Sequence, residues 1–427
     1  MNYQLTPDLA AMAILLVILF FLRRRHPQES VDLWFTGLLF IFLEATAHAF
    51  YTPRGRWHLT SHVIALDSYL AAGGIFLWAA VKPLLPRSPT LRYFAFNTPA
   101  LLALLTTYGL DIRTPGAYLV FITIGLVLGI VSPFVLARTW KLGRAWWLIF
   151  IQLCIWLPAL AFVSASLYRD AAYYLLFAIY FITGVVFQIS LPAKSMGKVA
   201  IVLGLTVWSF VFLLHSWVTN HPRFIDIAGQ IWDMQKFLVT IGLMLVMLER
   251  QVASNEWHAF HDQLTGLPNR RLFEQRLTQA IHQAQINNTR TALLLLDLNG
   301  FKLINDSLGH ETGDQLLRHI SINLRNVVRA SDTLARLGGD EFILIATDLP
   351  TDQPVAVIAE RSLQRILQAL AKPVFVAGNA LTVTGSVGIA IFPDDSTDEI
   401  LLRRLADQRM YQQKRQVSGI SKPYSPC

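Results

Sequence analysis

Two glycines followed by two carboxylates form a stretch of this sequence that is suited to chemistry. Gly338 and Gly339 lie between two β-like runs, 333–335 and 342–346, and Asp340 and Glu341 follow directly. The glycines predict a tight hairpin, because glycine takes positive φ without steric cost. Bare backbone beside two carboxylates suits a metal-bound phosphate. A polar surface turn is the alternative interpretation of these four residues taken alone.

A third carboxylate follows a continuous apolar run. Residues 291–296 read Thr-Ala-Leu-Leu-Leu-Leu and are followed by Asp297, a pattern typical of a central strand. If this strand lies beside the glycine hairpin, Asp297 meets Asp340 and Glu341 at one end of a sheet. Three neighbouring carboxylates repel one another unless a cation neutralises them. Mg²⁺ is the expected cation, because it prefers oxygen ligands.

Composition divides the chain into an apolar part and a part of ordinary composition. The 427 residues are 54% hydrophobic and 15% charged, with a mean hydropathy of +0.44, which is too apolar for an ordinary soluble protein. The two cysteines, Cys154 and Cys427, exclude a disulfide framework. The pattern predicts a membrane-spanning helical domain (1–248), a helical linker (249–261), an α/β domain (262–420) and a tail (421–427).

Nine apolar runs are close to the ~20 residues that a helix needs to cross a bilayer. They are 9–22, 33–51, 62–81, 91–109, 116–136, 146–167, 171–190, 199–218 and 227–248. Basic residues follow the first run rather than precede it, which favours a retained helix over a signal peptide. One alternating set of loops holds twelve lysines and arginines and the other holds five, which places the first set in the cytoplasm. The amino terminus is then outside, everything after Glu249 is inside, and the net charge of +8 does not indicate nucleic-acid binding.

Several polar residues lie within the predicted spans. Glu44 and His48 share a helix face, as do His58 and His62, and Asp67 follows in the same span. They are candidates for a metal, haem or ligand site near the outer surface. A hydrogen-bonded network between helices is the alternative.

The last predicted span contains one pair of opposite charges and leads into the linker. Asp233 and Lys236, three residues apart, are expected to neutralise each other rather than to bind a ligand. The linker is expected to prolong the last membrane helix. Its sparse apolar positions fit either a helix pairing that transmits a signal or a passive tether.

The α/β domain has alternating helix and strand patterns. They predict a helix at 268–286, a strand at 291–298, a helical stretch at 304–329, the glycine hairpin, a helix at 353–370, a β-hairpin at 373–391 broken at Gly378-Asn379, and a helix at 396–415. Helices alternating with strands and antiparallel hairpins predict a mixed sheet covered by helices.

Three separated motifs in this domain resemble those of GGDEF domains, the diguanylate cyclases. They are Gly338-Gly339-Asp340-Glu341-Phe342, the segment from Asp297 to His310 with Gly313-Asp314, and Asp262-Gln263-Leu264-Thr265-Gly266-Leu267-Pro268-Asn269-Arg270. The resemblance covers about 262–418. It implies the palm-like fold shared with nucleotidyl cyclases and polymerases, and condensation of two GTP molecules into cyclic di-GMP with release of pyrophosphate.

The resemblance also implies roles for individual residues. Asp297, the Leu298 carbonyl and Asp340 resemble ligands of Mg²⁺, with Mn²⁺ as an alternative. Asp340, Glu341 and Lys302 resemble the catalytic set. The residues expected at GTP are Asn305 and Asp314 as guanine readers, Lys302 and Lys414 as phosphate contacts, and Phe301, Gly338 and Gly339 around them. Catalysis is expected to require a homodimer, since each domain holds one GTP.

Arg329-Ala330-Ser331-Asp332 stands at the spacing of the family's inhibitory RxxD site. The resemblance implies that Arg329 and Asp332 bind cyclic di-GMP and lower activity. A salt bridge at a helix end is the alternative interpretation of the motif.

The chain departs from the family pattern in two places. Asn299 stands where many members have a second aspartate. After Lys414 the usual Gly-Arg-Asn group is missing, and Arg415 or Lys422 would have to replace its arginine.

The resulting hypothesis is a signal-controlled diguanylate cyclase in a bacterial inner membrane, with lipid, GTP, cyclic di-GMP and a second copy of the chain as partners. A silent GGDEF domain that acts as a cyclic di-GMP receptor is the alternative. A transporter with a regulatory tail is a third possibility.

Overall fold

The computed structural model describes residues 6–25, 29–51, 55, 57–84, 87–136, 142–376 and 379–418. The chain forms two compact units, Met1–Gln251 and Val252–Cys427. The predicted tail 421–427, the Gly378 turn position and Lys422 lie outside the described residues.

The first unit is helical. Its elements are α1 (Thr6–Arg25), α2 (Glu29–Phe50), α3 (His58–Val81), α4 (Arg87–Gly109), α5 (Pro115–Leu136), α6 (Leu142–Ser164), α7 (Tyr168–Ser190), α8 (Met196–Leu213), the short α9 (His215–Thr219), a 3₁₀ turn (Pro222–Phe224) and α10 (Ile225–Phe260). In the described residues, seven helices are long and apolar enough to cross a membrane, namely α2, α3, α5, α6, α7, α8 and α10. The apolar helices support a membrane-spanning unit.

The other two predicted spans coincide with α1 and α4. Asp8, Arg23 and Arg24 lie towards the ends of α1, and Arg92 and Asn97 interrupt the apolar pattern of α4. The number of nine spans therefore stays a prediction. Helix α10 continues through most of the predicted linker and ends at Phe260.

The second unit packs helices on a sheet. Its elements are α11 (Arg270–Asn287), β1 (Arg290–Asn299), α12 (Phe301–Leu308), α13 (His310–Val327), β2 (Thr333–Gly338), β3 (Glu341–Leu349), α14 (Val355–Leu370), β4 (Val374–Val376), β5 (Asn379–Leu381), β6 (Thr384–Phe392) and α15 (Glu399–Ser418). The four-stranded sheet has the order β2-β3-β1-β6, and β4 pairs with β5 separately. Each strand pair among the described residues is antiparallel. The predicted architecture, a sheet covered by helices, is confirmed.

The glycine hairpin forms as predicted, with β2 and β3 as its strands. Two predicted elements differ. The helical stretch 304–329 is divided into α12 and α13 at Gly309, whose φ of 86° is unfavourable for other residues. The hairpin predicted at 373–391 is wrong in its second half, because β4 pairs only with β5, whereas β6 pairs with β1 along its length.

Alternation along β1 determines which face carries chemistry. Leu294 and Leu296 belong to the apolar core that includes residues of α13 and α14. Leu293 and Leu295 belong to the core that includes residues of α11 and α15. Because strand side chains alternate between faces, Asp297 points to the face of α11 and α15.

Small residues allow α8 and α10 to approach closely. A Cβ added at Gly242 of α10 would lie 2.8 Å from Ile201 Cγ1, 2.9 Å from Ile201 N and 3.0 Å from the Gly197 carbonyl oxygen. Small residues at such positions allow helices to pack tightly inside a membrane.

This contact predicts opposite effects for two glycines of α10. Gly242→Ala should destabilise the helical unit by about 1–3 kcal/mol, because the added methyl meets backbone atoms. Gly229→Ala is the matched control, since a Cβ there meets nothing within 4 Å, and it should leave stability unchanged or raise it by less than about 1 kcal/mol. Thermal unfolding of the purified protein in detergent measures both, and equal effects would contradict the packing argument.

Candidate active site

Three carboxylates converge at one end of the sheet. In the β1–β3 pair, Asp297 lies directly opposite Glu341. The Leu298 amide donates a hydrogen bond to the Asp340 carbonyl oxygen at 3.3 Å, which holds the hairpin tip against β1. Directly opposed side chains in an antiparallel pair have Cβ atoms about 4.5–5.5 Å apart. The predicted meeting of Asp297 with the Asp340–Glu341 pair is confirmed by this register.

The carboxylates are held in an unfavourable electrostatic environment. Burial raises the pKa of Asp297 above its ordinary value, the hydrogen bond from Lys414 opposes this shift, and the charge of Asp340 adds to it. Burial also raises the pKa of Glu341, the charge of Asp297 adds to this, and Arg270 opposes it. Each group therefore resists ionisation while its neighbours are charged, which is a common property of functional sites.

Lys414 supplies a positive charge at this site. Its Nζ donates to Asp297 Oδ1 at 2.6 Å, and Asp297 is only 5% exposed. Lys414 lies on α15, which faces the same side of the sheet as Asp297. The contact joins residues 117 positions apart in the chain. The expected phosphate contact thus lies at the carboxylates.

The glycines leave open space at the hairpin tip. Gly338 has φ 148° and Gly339 has φ 53°, both in the region that favours glycine. An added Cβ at either position would meet nothing within 4 Å. The backbone beside Asp340 is therefore accessible to a ligand, as the sequence predicts.

Arg336 fixes the hairpin, a role that no pattern in the sequence predicts. Its guanidinium donates to the Gly339 carbonyl from Nε at 3.0 Å and from Nη2 at 2.7 Å, and its Nη1 donates to Asp262 Oδ1 at 2.9 Å. Burial acts to raise the pKa of Asp262, but hydrogen bonds from Thr265 and Arg336 outweigh it and lower the pKa. Asp262 and Arg336 are 74 positions apart, so local spacing gives no signal of this contact.

The expected guanine readers lie on the two helices that follow β1. Asn305 is on α12 and Asp314 is exposed near the start of α13. A side chain at Gly313 would overlap the Asn305 amide oxygen, so glycine permits this close approach. The same amide oxygen is buried without a hydrogen-bond partner among the described residues. An orphaned acceptor of this kind is costly unless a ligand or water supplies a donor.

The remaining expected nucleotide contacts flank this pair of helices. Phe301 opens α12 and is 8% exposed, so it anchors the helix in the core. Lys302 is exposed beside it. Gly300 precedes them with φ 74°, which allows the sharp turn from β1 into α12.

Arg329 and Asp332 lie away from the carboxylates. Asp332 accepts from the amides of Arg329 at 3.3 Å and Thr347 at 3.2 Å, so its carboxylate fixes the turn into the hairpin. No ion pair joins Arg329 to Asp332 within the part of the chain that the structure describes. Both residues line a cavity of about 130 Å³ together with Arg361 and Arg365.

Asn299, the departure from the family pattern, has a structural role in the sheet. Its amide nitrogen donates to Thr384 Oγ1 at 3.3 Å, and its oxygen accepts from Ser386 Oγ at 2.9 Å. Both partners lie on β6. Asn299 therefore helps hold β6 against β1.

The oxygen donors present suit a hard divalent cation. Two carboxylates and a backbone carbonyl, from Asp297, Asp340 and Leu298, are the ligand types that Mg²⁺ prefers. Across the described residues, no group of three or more His, Cys, Asp or Glu side chains is arranged to hold a metal. A site here therefore needs the backbone carbonyl, water or substrate oxygens to complete its ligand set.

The comparison with known families agrees with this geometry. Residues 259–419 match the family model described as diguanylate cyclase, GGDEF domain. Residues 259–419 are a GGDEF domain.

The relatives of this GGDEF domain include cyclases and larger signalling proteins. The bifunctional diguanylate cyclase/cyclic di-GMP phosphodiesterase MucR of Pseudomonas aeruginosa is 45% identical over 159 residues, 37% of this chain and 22% of MucR. Diguanylate cyclase TpbB of the same species is 37% identical over 188 residues, 44% of this chain and 42% of TpbB. The chain thus spans less than half of either relative.

Solved structures also match the GGDEF domain. The GGDEF domain of TpbB is 38% identical and covers 36% of this chain and 89% of its own, with a TM-score of 0.35. The coiled coil and GGDEF domain of DgcB from Caulobacter crescentus, in complex with cyclic di-GMP, is 26% identical and covers 43% and 95%, with a TM-score of 0.38.

The raised pKa of Glu341 predicts that removing its negative charge stabilises the GGDEF domain, by an amount that depends on pH. A carboxylate whose folded pKa is raised costs stability when ionised, and this cost disappears as pH falls through the folded pKa. In metal-free protein at pH 7, Glu341→Gln should therefore raise the thermal midpoint of the GGDEF domain by a few degrees. The gain should shrink as pH approaches the ordinary glutamate range.

Limited proteolysis of the full chain during heating measures the thermal unfolding of this domain, and a chelator keeps the protein metal-free. Glu360→Gln is the matched control, because Glu360 is on exposed α14 surface and a glutamine keeps its acceptor for Gln364. A loss of stability in Glu341→Gln at pH 7 would contradict the electrostatic account.

Proposed function

We propose that this protein is a membrane-bound diguanylate cyclase that condenses two GTP molecules into cyclic di-GMP and pyrophosphate. The observation that carries the proposal is the register of β1 and β3, which sets Asp297 opposite Glu341 beside the Asp340 tip. A buried and a half-buried carboxylate, both with raised pKa, lie beside an open glycine hairpin and are suited to hold a cation under a triphosphate.

Asp297, the Leu298 carbonyl and Asp340 are the proposed ligands of Mg²⁺ or Mn²⁺. When bound, such an ion stabilises the negative charge on the attacking and leaving oxygens of an in-line displacement. Glu341 supports the same site, and Asp340 accepts the proton of the attacking 3′-hydroxyl. Lys302 and Lys414 bind the triphosphate oxygens. Because Lys414 contacts Asp297 at 2.6 Å in this structure, we propose that it exchanges this carboxylate for phosphate when GTP binds.

Guanine recognition is assigned to Asn305 and Asp314. A carboxylate accepts from guanine N1–H and its 2-amino group together, a donor pair that adenine does not present. The orphaned amide oxygen of Asn305 supports an acceptor role beside it. Phe301, Gly338 and Gly339 shape the space between the base and phosphate positions.

The reaction needs two copies of the domain, because each site holds one GTP and the 3′-hydroxyl of one attacks the α-phosphorus of the other. We propose a homodimer in the bacterial inner membrane, with the amino terminus outside and the GGDEF domain in the cytoplasm. The basic residues of the loops support this orientation. A signal at the helical unit controls the activity in this proposal.

Product inhibition is assigned to Arg329 and Asp332. Arg329, Arg361 and Arg365 line one small cavity with Asp332. Guanidinium groups bind guanine and phosphate acceptors through paired hydrogen bonds. Cyclic di-GMP bound there would favour an inactive arrangement of the dimer and thus lower the rate.

The cyclase assignment predicts the loss of activity in Asp340→Ala. The variant should lower cyclic di-GMP synthesis by at least about a thousandfold, because a lost metal ligand removes several kcal/mol of charge stabilisation. Asp352→Ala, at an exposed loop aspartate, is the control and should keep wild-type activity. Labelled GTP with Mg²⁺ and membranes containing the full chain gives the measurement.

Two results distinguish the cyclase from the alternative, a cyclic di-GMP receptor without activity. No product from wild-type protein under any condition, including a forced dimer, would contradict the cyclase. Tight cyclic di-GMP binding that survives Asp340→Ala would then favour a receptor.

The inhibitory site predicts a weaker effect of product in Arg329→Ala. The inhibition constant for cyclic di-GMP should rise at least about tenfold, because charged hydrogen bonds to the product are lost. Arg318→Ala, on the exposed surface of α13, should leave the constant unchanged. Initial rates over a range of cyclic di-GMP concentrations measure it, and unchanged inhibition in Arg329→Ala would remove this site from the proposal.

A further inference from the structure

The helical unit encloses a cavity of about 590 Å³, within the size range of small-molecule sites. Its lining comes from one end of the bundle: the start of α1, the end of α2, the first half of α3, the end of α4, the start of α7, α9 and the first turns of α10. By the loop-charge prediction, this end faces the outside.

The floor of the cavity is ionic and carries net negative charge. Lys236 Nζ lies 3.1 Å from Glu44 Oε2 and 3.3 Å from Asp233 Oδ1. Glu44 is 2% exposed and Lys236 is 6% exposed. Two carboxylates against one ammonium leave one uncompensated negative charge, and Asp8 lines the same cavity. The predicted Asp233–Lys236 neutralisation is thus present but incomplete, because Glu44 is the third member.

The mouth of the cavity is cationic. Arg113 and Arg169 line it and are exposed. Arg113 pairs with Asp111 at 2.5 Å. Arg169 donates to Thr219 Oγ1 at 2.7 Å, and it makes no ion pair within the described ranges. An anionic group arriving at the mouth would therefore meet an uncompensated guanidinium.

Aromatic rings connect the mouth to the floor. Arg113 lies over the Tyr108 ring at 4.4 Å. From Tyr108 the ring contacts run to Tyr173 at 6.3 Å, from Tyr173 to His215 at 3.8 Å, and from His215 to Trp232 at 5.7 Å. Trp232 directly precedes Asp233 on α10. Flat apolar groups and cations both bind well between such rings.

These features bear on the metal, haem or ligand site and on the network between helices that the sequence left open. His48, His58 and His62 line the cavity, whereas Asp67 does not and instead accepts from Thr106 at 3.0 Å. Lys236 lies between the floor carboxylates, and no metal-holding group of His, Cys, Asp or Glu occurs in the described residues. The site therefore suits an organic ligand better than a metal ion.

We propose that this cavity binds a small zwitterion with an ammonium group, an acid group and a flat apolar part between them. The ammonium lies at the floor against Glu44 and Asp233, and the acid group lies at the mouth against Arg169. The volume fits a molecule of the size of a short peptide or an amino-acid derivative.

Ligand binding in the cavity can act on residues outside it through one helix, α10. Trp232, Asp233 and Lys236 belong to α10, which continues without interruption to Phe260. A ligand that binds these residues favours the α10 positions that complete its contacts. This regulatory consequence rests on the cyclase function proposed above, whereas ligand binding does not.

The ligand chemistry can be tested on wild-type protein with one dipeptide and its blocked forms. Glycyl-tyrosine has both charged ends, its N-acetyl form lacks the ammonium, and its C-terminal amide lacks the carboxylate. Isothermal titration calorimetry with full-length protein in detergent should show binding of glycyl-tyrosine at millimolar or lower concentrations. Each blocked form should bind at least about tenfold more weakly, because it loses charged hydrogen bonds.

Two variants test which residue contacts each charged end of the dipeptide. Asp233→Asn should weaken binding of glycyl-tyrosine and its amide but not of the acetylated form, and Arg169→Gln should show the opposite selectivity. Asp226→Asn and Arg223→Gln are matched controls, because both residues lie at this end of the bundle outside the cavity lining. They should leave binding unchanged.

A zwitterionic lipid headgroup carries the same chemistry. Phosphatidylethanolamine added to phosphatidylglycerol nanodiscs therefore forms a second arm. If it raises the melting temperature and this protection needs Asp233 and Arg169, the natural source of the zwitterion is the membrane. Equal binding of all three dipeptide forms, or no binding and no lipid protection, overturns the proposal.

The binding arm is repeated on Asp340→Ala protein, which the cyclase proposal expects to lack turnover. Ligand binding without any cyclase activity in the wild type would contradict the proposed function and support this ligand site. Cyclase activity without binding would do the reverse. Binding that leaves the cyclic di-GMP rate of wild-type protein unchanged would overturn the regulatory role of α10.

Discussion

The register between β1 and β3 is the constraint on which the GGDEF domain depends. It sets Asp297 directly opposite Glu341, where their charges repel in a partly buried place. The surrounding elements offset this cost: α15 brings Lys414 to Asp297, and Arg270 opposes the shift of Glu341. A slip of β1 by one residue would turn Asp297 to the other face of the sheet and break its contacts with Glu341 and Lys414. The register of the sheet therefore has to be specified by its apolar residues, since the carboxylates at one end of the sheet repel one another.

The same logic explains why the hairpin is fixed from outside rather than by its own packing. Its glycines carry no side chains and leave open space, so the tip gains little from burial. Arg336 supplies the missing rigidity by holding the Gly339 carbonyl and Asp262 together. Bare backbone next to preorganised carboxylates suits a metal-bound phosphate but costs folding free energy. Stability and ligand access are thus separated between two parts of the domain.

Sequence reasoning predicted features that local patterns encode and missed those set by distant pairing. The glycine hairpin and β1 follow from turn chemistry and an apolar run, and their meeting followed from the carboxylates themselves. The strand β6 was assigned to a local hairpin, because the Gly378-Asn379 turn signal is local whereas its partner β1 lies some 90 residues earlier. The Asp262–Arg336 contact spans 74 positions and leaves no mark in spacing. Motif resemblance indicated the candidate site residues, but only the register explains why the three carboxylates converge.

In the helical unit, ionic groups again oppose stability where they are found. Burying Glu44, Asp233 and Lys236 costs desolvation free energy, and two acids with one base cannot neutralise one another completely. Apolar residues of similar size would serve a purely structural bundle better, and ionisable groups within membrane spans are by default functional. Because two of the three lie on α10, a change of charge at the cavity floor acts directly on the helix that ends at Phe260. An ion pair left incomplete at that position supports the proposed ligand, whose ammonium group would complete it.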